Sequence, residues 1–177
     1  KKTRGAVGIR IFLREENPRP PTDPGFDRIL KSAVKHDFPV NFLCWGKIDD
    51  GIKLIDRHPN VRFILDHLGI LQPKEPPAPA NPWADLPKVL DLARRPNVVI
   101  KVSGACTLSR EPYPFNDIWD PLQRVFDAWG NDLVTDATGN NTYFGAAFSG
   151  HIDYPKKHPG MREFWNRPSR PCPGTGI

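Results

Sequence analysis

A carboxylate and an imidazole stand side by side at Asp66 and His67, directly after the apolar run of residues 61–65. Arg62 is the only charge in that run, which is typical of a strand buried on both faces in a parallel sheet. Gly69 then permits a sharp turn away from the strand. Because ligands bind at the carboxyl ends of parallel strands, we predict acid–base chemistry for the pair. A structural alternative stays open, in which His67 donates to a backbone carbonyl and Asp66 caps the next segment.

Four further residues with charged or aromatic side chains lie on, or soon after, other predicted strands: Arg10, Trp45, Lys101 and Asp136. Buried cations need partners, so Arg10 and Lys101 either pair with an aspartate or hold the negative charge of a substrate. Trp45 either forms a pocket wall or only packs at its strand end, and Asp136 is either a functional residue at the end of the last strand or an ordinary loop carboxylate. Because parallel strands end on the same side, we expect Asp136 to meet the Asp-His pair at the carboxyl edge of one sheet, with Arg10 and Lys101 projecting from that sheet.

Ser103 follows another predicted strand, but we do not predict that it is a nucleophile. It lacks the Gly-x-Ser-x-Gly pattern of a nucleophile elbow, and no histidine lies near it in the sequence. No serine hydrolase is therefore predicted.

The elements that must position these residues alternate between strands and helices. Strands are predicted at residues 6–13, 38–44, 60–66, 97–102 and 133–134, and helices near 26–36, 47–57, 83–95 and 117–129. A repeated junction supports this division, because residues 57–61 and 94–98 both join a basic helix end to a proline and an Asn-Val strand start. Single helices between strands, with right-handed crossovers, predict an α/β fold with one parallel sheet.

The composition excludes several classes of protein. The net charge of +5 over 177 residues is spread among acids rather than concentrated in a basic patch, so no nucleic-acid partner is predicted. The three cysteines lack metal or disulfide spacing, which favours a reducing compartment. With no apolar run near the length of a membrane span and no signal peptide pattern, we expect a cytoplasmic protein and no membrane partner.

The pattern of alternating elements ends near residue 138. Residues 1–138 are therefore predicted to form one domain and residues 139–177 an irregular tail, which is rich in proline and glycine. We expect the residues after Pro155 to be sensitive to proteases and dispensable for folding.

Read with their spacing, the strand ends resemble the amidohydrolase-related (amidohydrolase 2) family of the metal-dependent hydrolase superfamily. The resemblance covers roughly residues 5 to 138. It is carried by Gly-Ile-Arg at 8–10, Pro-Val through Cys-Trp-Gly at 39–46, Asp-His-Leu-Gly at 66–69, Ile-Lys-Val-Ser-Gly at 100–104 and Thr-Asp at 135–136. The family fold is a (β/α)8 TIM barrel. The resemblance implies that the chain supplies the fourth to eighth strands, and thus the carboxyl-terminal part of an incomplete barrel.

The resemblance also implies roles for two residues and raises the question of a metal. His67 matches the sixth-strand histidine, which serves as a metal ligand or as a general acid/base, and Asp136 matches the eighth-strand aspartate, which activates water. The His-x-His pair of the first strand has no counterpart in this sequence, and Leu43 stands near the place of a fifth-strand histidine. Most zinc ligands of the family are thus absent, so no metal and no other cofactor is predicted.

Five strands cannot close an eight-stranded barrel, because strand tilt and stagger depend on strand number. The open edges need cover. A second copy in a homo-oligomer, a longer protein of which this chain is a piece, or an open sheet under its proline-rich loops would each provide it.

Two functions are compatible with these features. The first is a hydrolase related to the amidohydrolases, in which water attacks a carbonyl of a small carboxylated or lactone-like substrate. The alternative is a truncated, inactive relative that acts as a binding or oligomerising module. The substrate itself is not encoded in any motif of the sequence.

Overall fold

The computed structural model describes residues 6–13, 18–73, 75–130 and, for the backbone alone, 133–134. Asp136 and the tail after it lie outside these residues, so the predictions about them stay predictions.

Five strands and four α-helices alternate along the described chain. The strands are β1 (Ile9–Phe12), β2 (Val40–Leu43), β3 (Phe63–Leu65), β4 (Val98–Lys101) and β5 (Leu133–Val134). The helices are α1 (Pro24–Lys35), α2 (Ile48–Arg57), α3 (Leu86–Leu92) and α4 (Trp119–Trp129). Each predicted element is present. Most are shorter than predicted, whereas α1 begins before its predicted start and β5 has its predicted bounds.

All neighbouring strands are parallel, and their spatial order β1-β2-β3-β4-β5 follows the order of the sequence. Right-handed crossovers between strands in sequential order place every connecting helix on the same side of the sheet. The α/β prediction is therefore confirmed, and the arrangement is that of the carboxyl-terminal part of a (β/α)8 barrel.

The two faces of the sheet differ in burial. The row of residues that pair across the strands and face the helices is buried: Ile11, Phe42, Leu65 and Ile100. The adjacent row, Arg10, Asn41, Ile64 and Val99, is only half-buried or exposed. The expectation that the central strand is buried on both faces is thus wrong for its second face, because the described helices cover only the first.

Each helix buries one apolar stripe against the sheet. In α1 the buried residues are Phe26, Leu30 and Ala33, which fall at helical spacing, and the helix begins after Asp23, whose Oδ1 accepts from the backbone N of Gly25 at 2.6 Å. With the helices packed against the sheet, the carboxyl ends of the parallel strands lie along one edge, where the candidate site is located.

Within the ranges that the structure describes, the helices are too short or too polar to cross a membrane.

Candidate active site

The chain reverses sharply where β3 ends. A short 3-10 turn spans Asp66–Gly69, and its last three residues have left-handed backbones, with φ of 53° at His67, 63° at Leu68 and 66° at Gly69. Non-glycine residues rarely adopt this conformation, and backbone strain of this kind is concentrated at functional sites. The turn keeps Asp66 buried and brings His67 beside the end of β4.

Asp66 is fully buried and lies between two cations. Arg10 Nε donates to its Oδ2 at 2.8 Å, and Lys101 Nζ lies 3.6 Å from its Oδ1. The latter distance allows an ion pair but exceeds a hydrogen bond, and Oδ1 has no hydrogen-bond partner among the described residues. Two positive charges thus share one negative charge at this edge. The ion-pair alternative for Arg10 and Lys101 is present in the structure, and their action on a substrate stays a prediction.

The imidazole of His67 contacts a different residue with each nitrogen. Its Nδ1 lies 2.8 Å from Ser103 Oγ, and its Nε2 lies 3.4 Å from Arg10 Nη2. A guanidinium can only donate, so a hydrogen bond from Arg10 to Nε2 corresponds to the tautomer in which Nδ1 carries the hydrogen. Ser103 then accepts this hydrogen, which is the opposite of the direction that a serine nucleophile needs. The ring of Trp45 lies 5.4 Å from that of His67, between their centres.

Gln72 links the loop after β3, which carries His67, to the loop after β4, which carries Ser103. Its buried side-chain amide donates to the carbonyl of Ser103 at 2.6 Å and to that of His67 at 3.2 Å. Gly104 makes room for this amide, since a Cβ there would lie 2.0 Å from Gln72 Oε1. Sequence reasoning missed Ser103 and Gln72 as site residues. The position of Ser103 after a strand was a usable signal, whereas Gln72 lies in a proline-rich loop that carries none.

The structure therefore brings five of the six predicted site residues into one cluster: Arg10, Trp45, Asp66, His67 and Lys101. The sixth, Asp136, lies outside the described residues.

A separate cavity of about 280 Å³ lies between the segment after β1 and the start of α2. It is lined by Leu13, Pro18, Arg19, Pro20, Lys47 and Asp50, so the cluster does not form it.

Comparison with known proteins decides the family. The Amidohydrolase family model matches residues 1–135. The chain belongs to the amidohydrolase family. It is similar to 4-sulfomuconolactone hydrolase from Hydrogenophaga intermedia, with 23% identity over 138 residues, which are 74% of this chain and 44% of that protein. The chain thus spans less than half the length of this curated relative.

Two solved structures show the same fold. One is a putative 2-pyrone-4,6-dicarboxylic acid hydrolase from Pseudomonas putida, with a TM-score of 0.54, 19% identity, and coverage of 84% of this chain and 56% of that one. The other is an amidohydrolase from Burkholderia multivorans with bound HEPES, with a TM-score of 0.55, 18% identity, and coverage of 90% and 61%. The resemblance to the amidohydrolase family is confirmed.

The described donor side chains of this amidohydrolase chain do not fit a metal ion. The described residues contain no group of three or more His, Cys, Asp or Glu side chains that could hold one. Leu43 is apolar and buried, and the Nε2 atom of His67 lies 3.4 Å from the guanidinium of Arg10, whose charge would repel a cation.

The buried thiols near this edge are poor nucleophiles. Burial, with smaller contributions from the carboxylates of Asp85 and Asp66, raises the pKa of Cys44 to about 12. Burial also raises the pKa of Cys106. Since only a thiolate attacks efficiently, neither group is suited to covalent catalysis.

Proposed function

We propose that this chain supplies part of the active site of a hydrolase that adds water to the carbonyl of a small, lactone-like substrate bearing an acid group. The observation that carries the proposal is the pairing of Arg10 and Lys101 with the single buried carboxylate of Asp66. Among the described side chains of this cluster one positive charge is left over, and the side chain of Arg10 is 40% exposed. An anionic group of a substrate would complete the charge balance.

The names of two similar proteins support this choice of substrate class. One is a hydrolase of 4-sulfomuconolactone, and the other is a putative hydrolase of 2-pyrone-4,6-dicarboxylic acid. Both names denote a compound that carries acid groups and is hydrolysed. In this chain, Arg10 and Lys101 would provide the positive charge that binds such an acid group.

In the proposed reaction, His67 and Asp136 act on water, and Arg10 or Lys101 holds the acid group. The Nε2 atom of His67 lies 3.4 Å from Arg10 Nη2, so it accepts a proton from the attacking water only after the acid group of the substrate has drawn Arg10 away from it. Asp136 keeps the water-activating role that its match to the family implies. Trp45, whose ring is tilted by 54° relative to that of His67, forms a wall of the substrate site.

The charge argument is tested by comparing an acid-bearing lactone with a neutral lactone of the same ring size. Lys101→Met should raise KM for the acid-bearing lactone by about 10-fold or more, since a charge-assisted contact of 1.5–3 kcal/mol is lost, and should leave the neutral lactone unchanged. Lys88→Met is the control, because Lys88 pairs with Asp49 and Asp85 away from the cluster. Equal effects of Lys101→Met on both lactones would refute a role in charge recognition.

The imidazole is tested by His67→Ala. We expect kcat to fall by about 100-fold or more, which is the usual loss for an acid–base group, while the urea midpoint of unfolding changes little. An unchanged kcat would remove His67 from the mechanism and favour the second candidate function.

That second candidate is a binding or oligomerising module. It is favoured by the edge of the sheet at β1, which pairs only with β2 among the described strands. Val7 and Phe12 at this edge are 78% and 40% exposed. An exposed strand edge can pair with another chain, so this function predicts self-association without turnover of any lactone.

A further inference from the structure

Asn41 lies within β2, and neither the fold nor the proposed reaction accounts for it. We propose that Asn41 is a substrate-binding residue, whose amide donates to the acid group that Arg10 holds, while the ring of the substrate lies on the apolar surface beside it. The identity of that ring as a lactone rests on the proposed function, whereas the binding of a flat, acid-bearing ring does not.

The amide of Asn41 is half-buried and unpaired. Asn41 is the only polar residue of β2, whose other three members are buried. Within the described parts of the chain, its side chain has no hydrogen-bond partner. Asparagine is depleted in strands, and an amide that is withdrawn from water without a partner opposes folding. The fold therefore gains nothing from this side chain.

Asn97, just before β4, is an asparagine that the fold does use. Its Nδ2 donates to the carbonyl of Val61 at 3.1 Å and to that of His58 at 3.4 Å, so it holds the turn that precedes β3. Asn41 makes no contact of this kind, and its amide remains available to a ligand.

The position of Asn41 is next to the cations of the candidate site. It pairs with Arg10 in the parallel register of β1 and β2, so both side chains leave the same face of the sheet. Arg10 uses its Nε and Nη2 atoms, whereas its Nη1 atom has no partner among the described residues. A carboxylate has two oxygens and about four lone-pair sites, so one acid group can accept from both side chains.

The same face continues as an apolar surface. Ile64 and Val99 follow Arg10 and Asn41 in register, and both are half-buried. The row is thus polar over β1 and β2 and apolar over β3 and β4. Neighbouring strands lie about 4.8 Å apart, so a ring attached to an acid group at Asn41 reaches the apolar half of the row. Burial of the ring carbons there favours binding.

Binding is measured by isothermal titration calorimetry of the full chain with benzene-1,3-dicarboxylate, a flat ring whose acid groups are not hydrolysed. Benzene-1,3-dicarboxamide is its neutral counterpart. Asn41→Asp is nearly isosteric and places a negative charge where the acid group binds, so it should weaken dicarboxylate binding by about 100-fold or more. Asn41→Leu removes only the amide and should weaken it by about 10-fold. Asn41→Asp should change binding of the dicarboxamide by less than about 3-fold, because no like charges meet.

Asn60→Asp is the matched control for charge, because Asn60 is exposed in the turn before β3, at the opposite edge of the sheet. It should leave dicarboxylate binding unchanged. Urea unfolding tests for a structural role: Asn97→Leu should lower the midpoint, and Asn41→Leu should not. Equal losses of stability in these two variants would overturn the proposal. Unchanged dicarboxylate affinity in a folded Asn41→Asp, or no binding to the wild type, would also overturn it.

Lactone kinetics separate this proposal from the proposed function. If the wild type binds the dicarboxylate through Asn41 but hydrolyses no lactone, the proposed function fails and the binding role of Asn41 stands. If the wild type hydrolyses an acid-bearing lactone and Asn41→Asp leaves KM unchanged, the binding role fails and the proposed function stands.

Discussion

At the scale of single residues, burial decides which ion pairs stabilise the fold. The Arg10–Asp66 pair and the Arg62–Asp37 pair have nearly equal distances, 2.8 Å and 2.7 Å. Their carboxylates differ greatly, because the side chain of Asp66 is 1% exposed and that of Asp37 is 86% exposed. Removing the arginine leaves a buried charge in the first case and a hydrated charge in the second.

We therefore predict that Arg10→Met lowers the free energy of unfolding by about 2 kcal/mol or more, since Asp66 then keeps only the looser contact with Lys101. The matched change Arg62→Met should cost less than about 1 kcal/mol. Urea denaturation followed by circular dichroism measures both values. Similar losses in the two variants would show that Asp66 is hydrated despite its position.

The thiol of Cys44 predicts a dependence of stability on alkaline pH. Its pKa is raised from the ordinary value of 9.0 to about 12, chiefly because burial disfavours the thiolate. The folded state then holds a proton that the unfolded state releases, so the contribution is fully present below pH 9 and is lost progressively up to about pH 12. Unfolding of the wild type and of Cys44→Ala should be compared at pH 8 and pH 10.5. The wild type should lose more stability over this interval, and equal losses would contradict the prediction.

At the scale of elements, the loops that follow the strands depend on how closely they approach one another. Gly46, after β2, and Gly104, after β4, both have left-handed backbones, with φ of 68° and 71°. A Cβ on Gly46 would meet no atom within 4 Å, whereas a Cβ on Gly104 would collide with Gln72. Replacing either glycine by alanine would therefore strain the backbone to a similar extent, but only the change at Gly104 would also cause a steric clash.

We predict that Gly46→Ala costs only the left-handed backbone term of about 1–2 kcal/mol. Gly104→Ala should cost at least about 1 kcal/mol more, because it also displaces the buried amide of Gln72 from its two carbonyls. Thermal unfolding of the two variants gives the difference. Equal costs would mean that the loop after β4 moves aside without losing the amide bridge.

At the scale of the whole molecule, one face and one edge of the sheet are left exposed by the described residues. The described helices cover one face, while Arg10, Ile64 and Val99 on the other are half-buried or exposed. A barrel would enclose that face, and five strands are too few for one. Cover must come from another chain, from more of the same protein, or from residues outside the described ranges.

We predict that the chain self-associates in solution, with a mass above the 20.0 kDa of one copy. Sedimentation equilibrium measures the mass, and a concentration-independent value of one copy would exclude a homo-oligomer.

Elemental analysis of the same sample should find less than one zinc per chain, and any hydrolysis should survive EDTA, because the described donors do not form a metal site. Stoichiometric zinc would reverse this expectation.

Local patterns in the sequence were sufficient to predict the elements and their order. The apolar runs, the helical spacing in α1 and the repeated Pro-Asn-Val junctions depend only on neighbouring residues. Alternation of strands and helices then restricts the topology, since right-handed crossovers leave few arrangements. The same rule placed Asp66 and His67 at the carboxyl edge with Arg10 and Lys101 projecting from the same sheet, because parallel strands end together, and the structure brings the two cations into contact with Asp66.

Only the tertiary structure decided how these residues are paired. The approach of Ser103 to His67 spans 36 positions in the sequence, and the bridge from Gln72 to Ser103 spans 31. Both depend on the left-handed turn after β3 and on the space left by Gly104, which no local pattern specifies. The burial of only one sheet face also depended on where the helices pack. Periodicity predicts that a strand is apolar, but the partners of its side chains are set by segments distant in the chain, so they become known only when those segments meet.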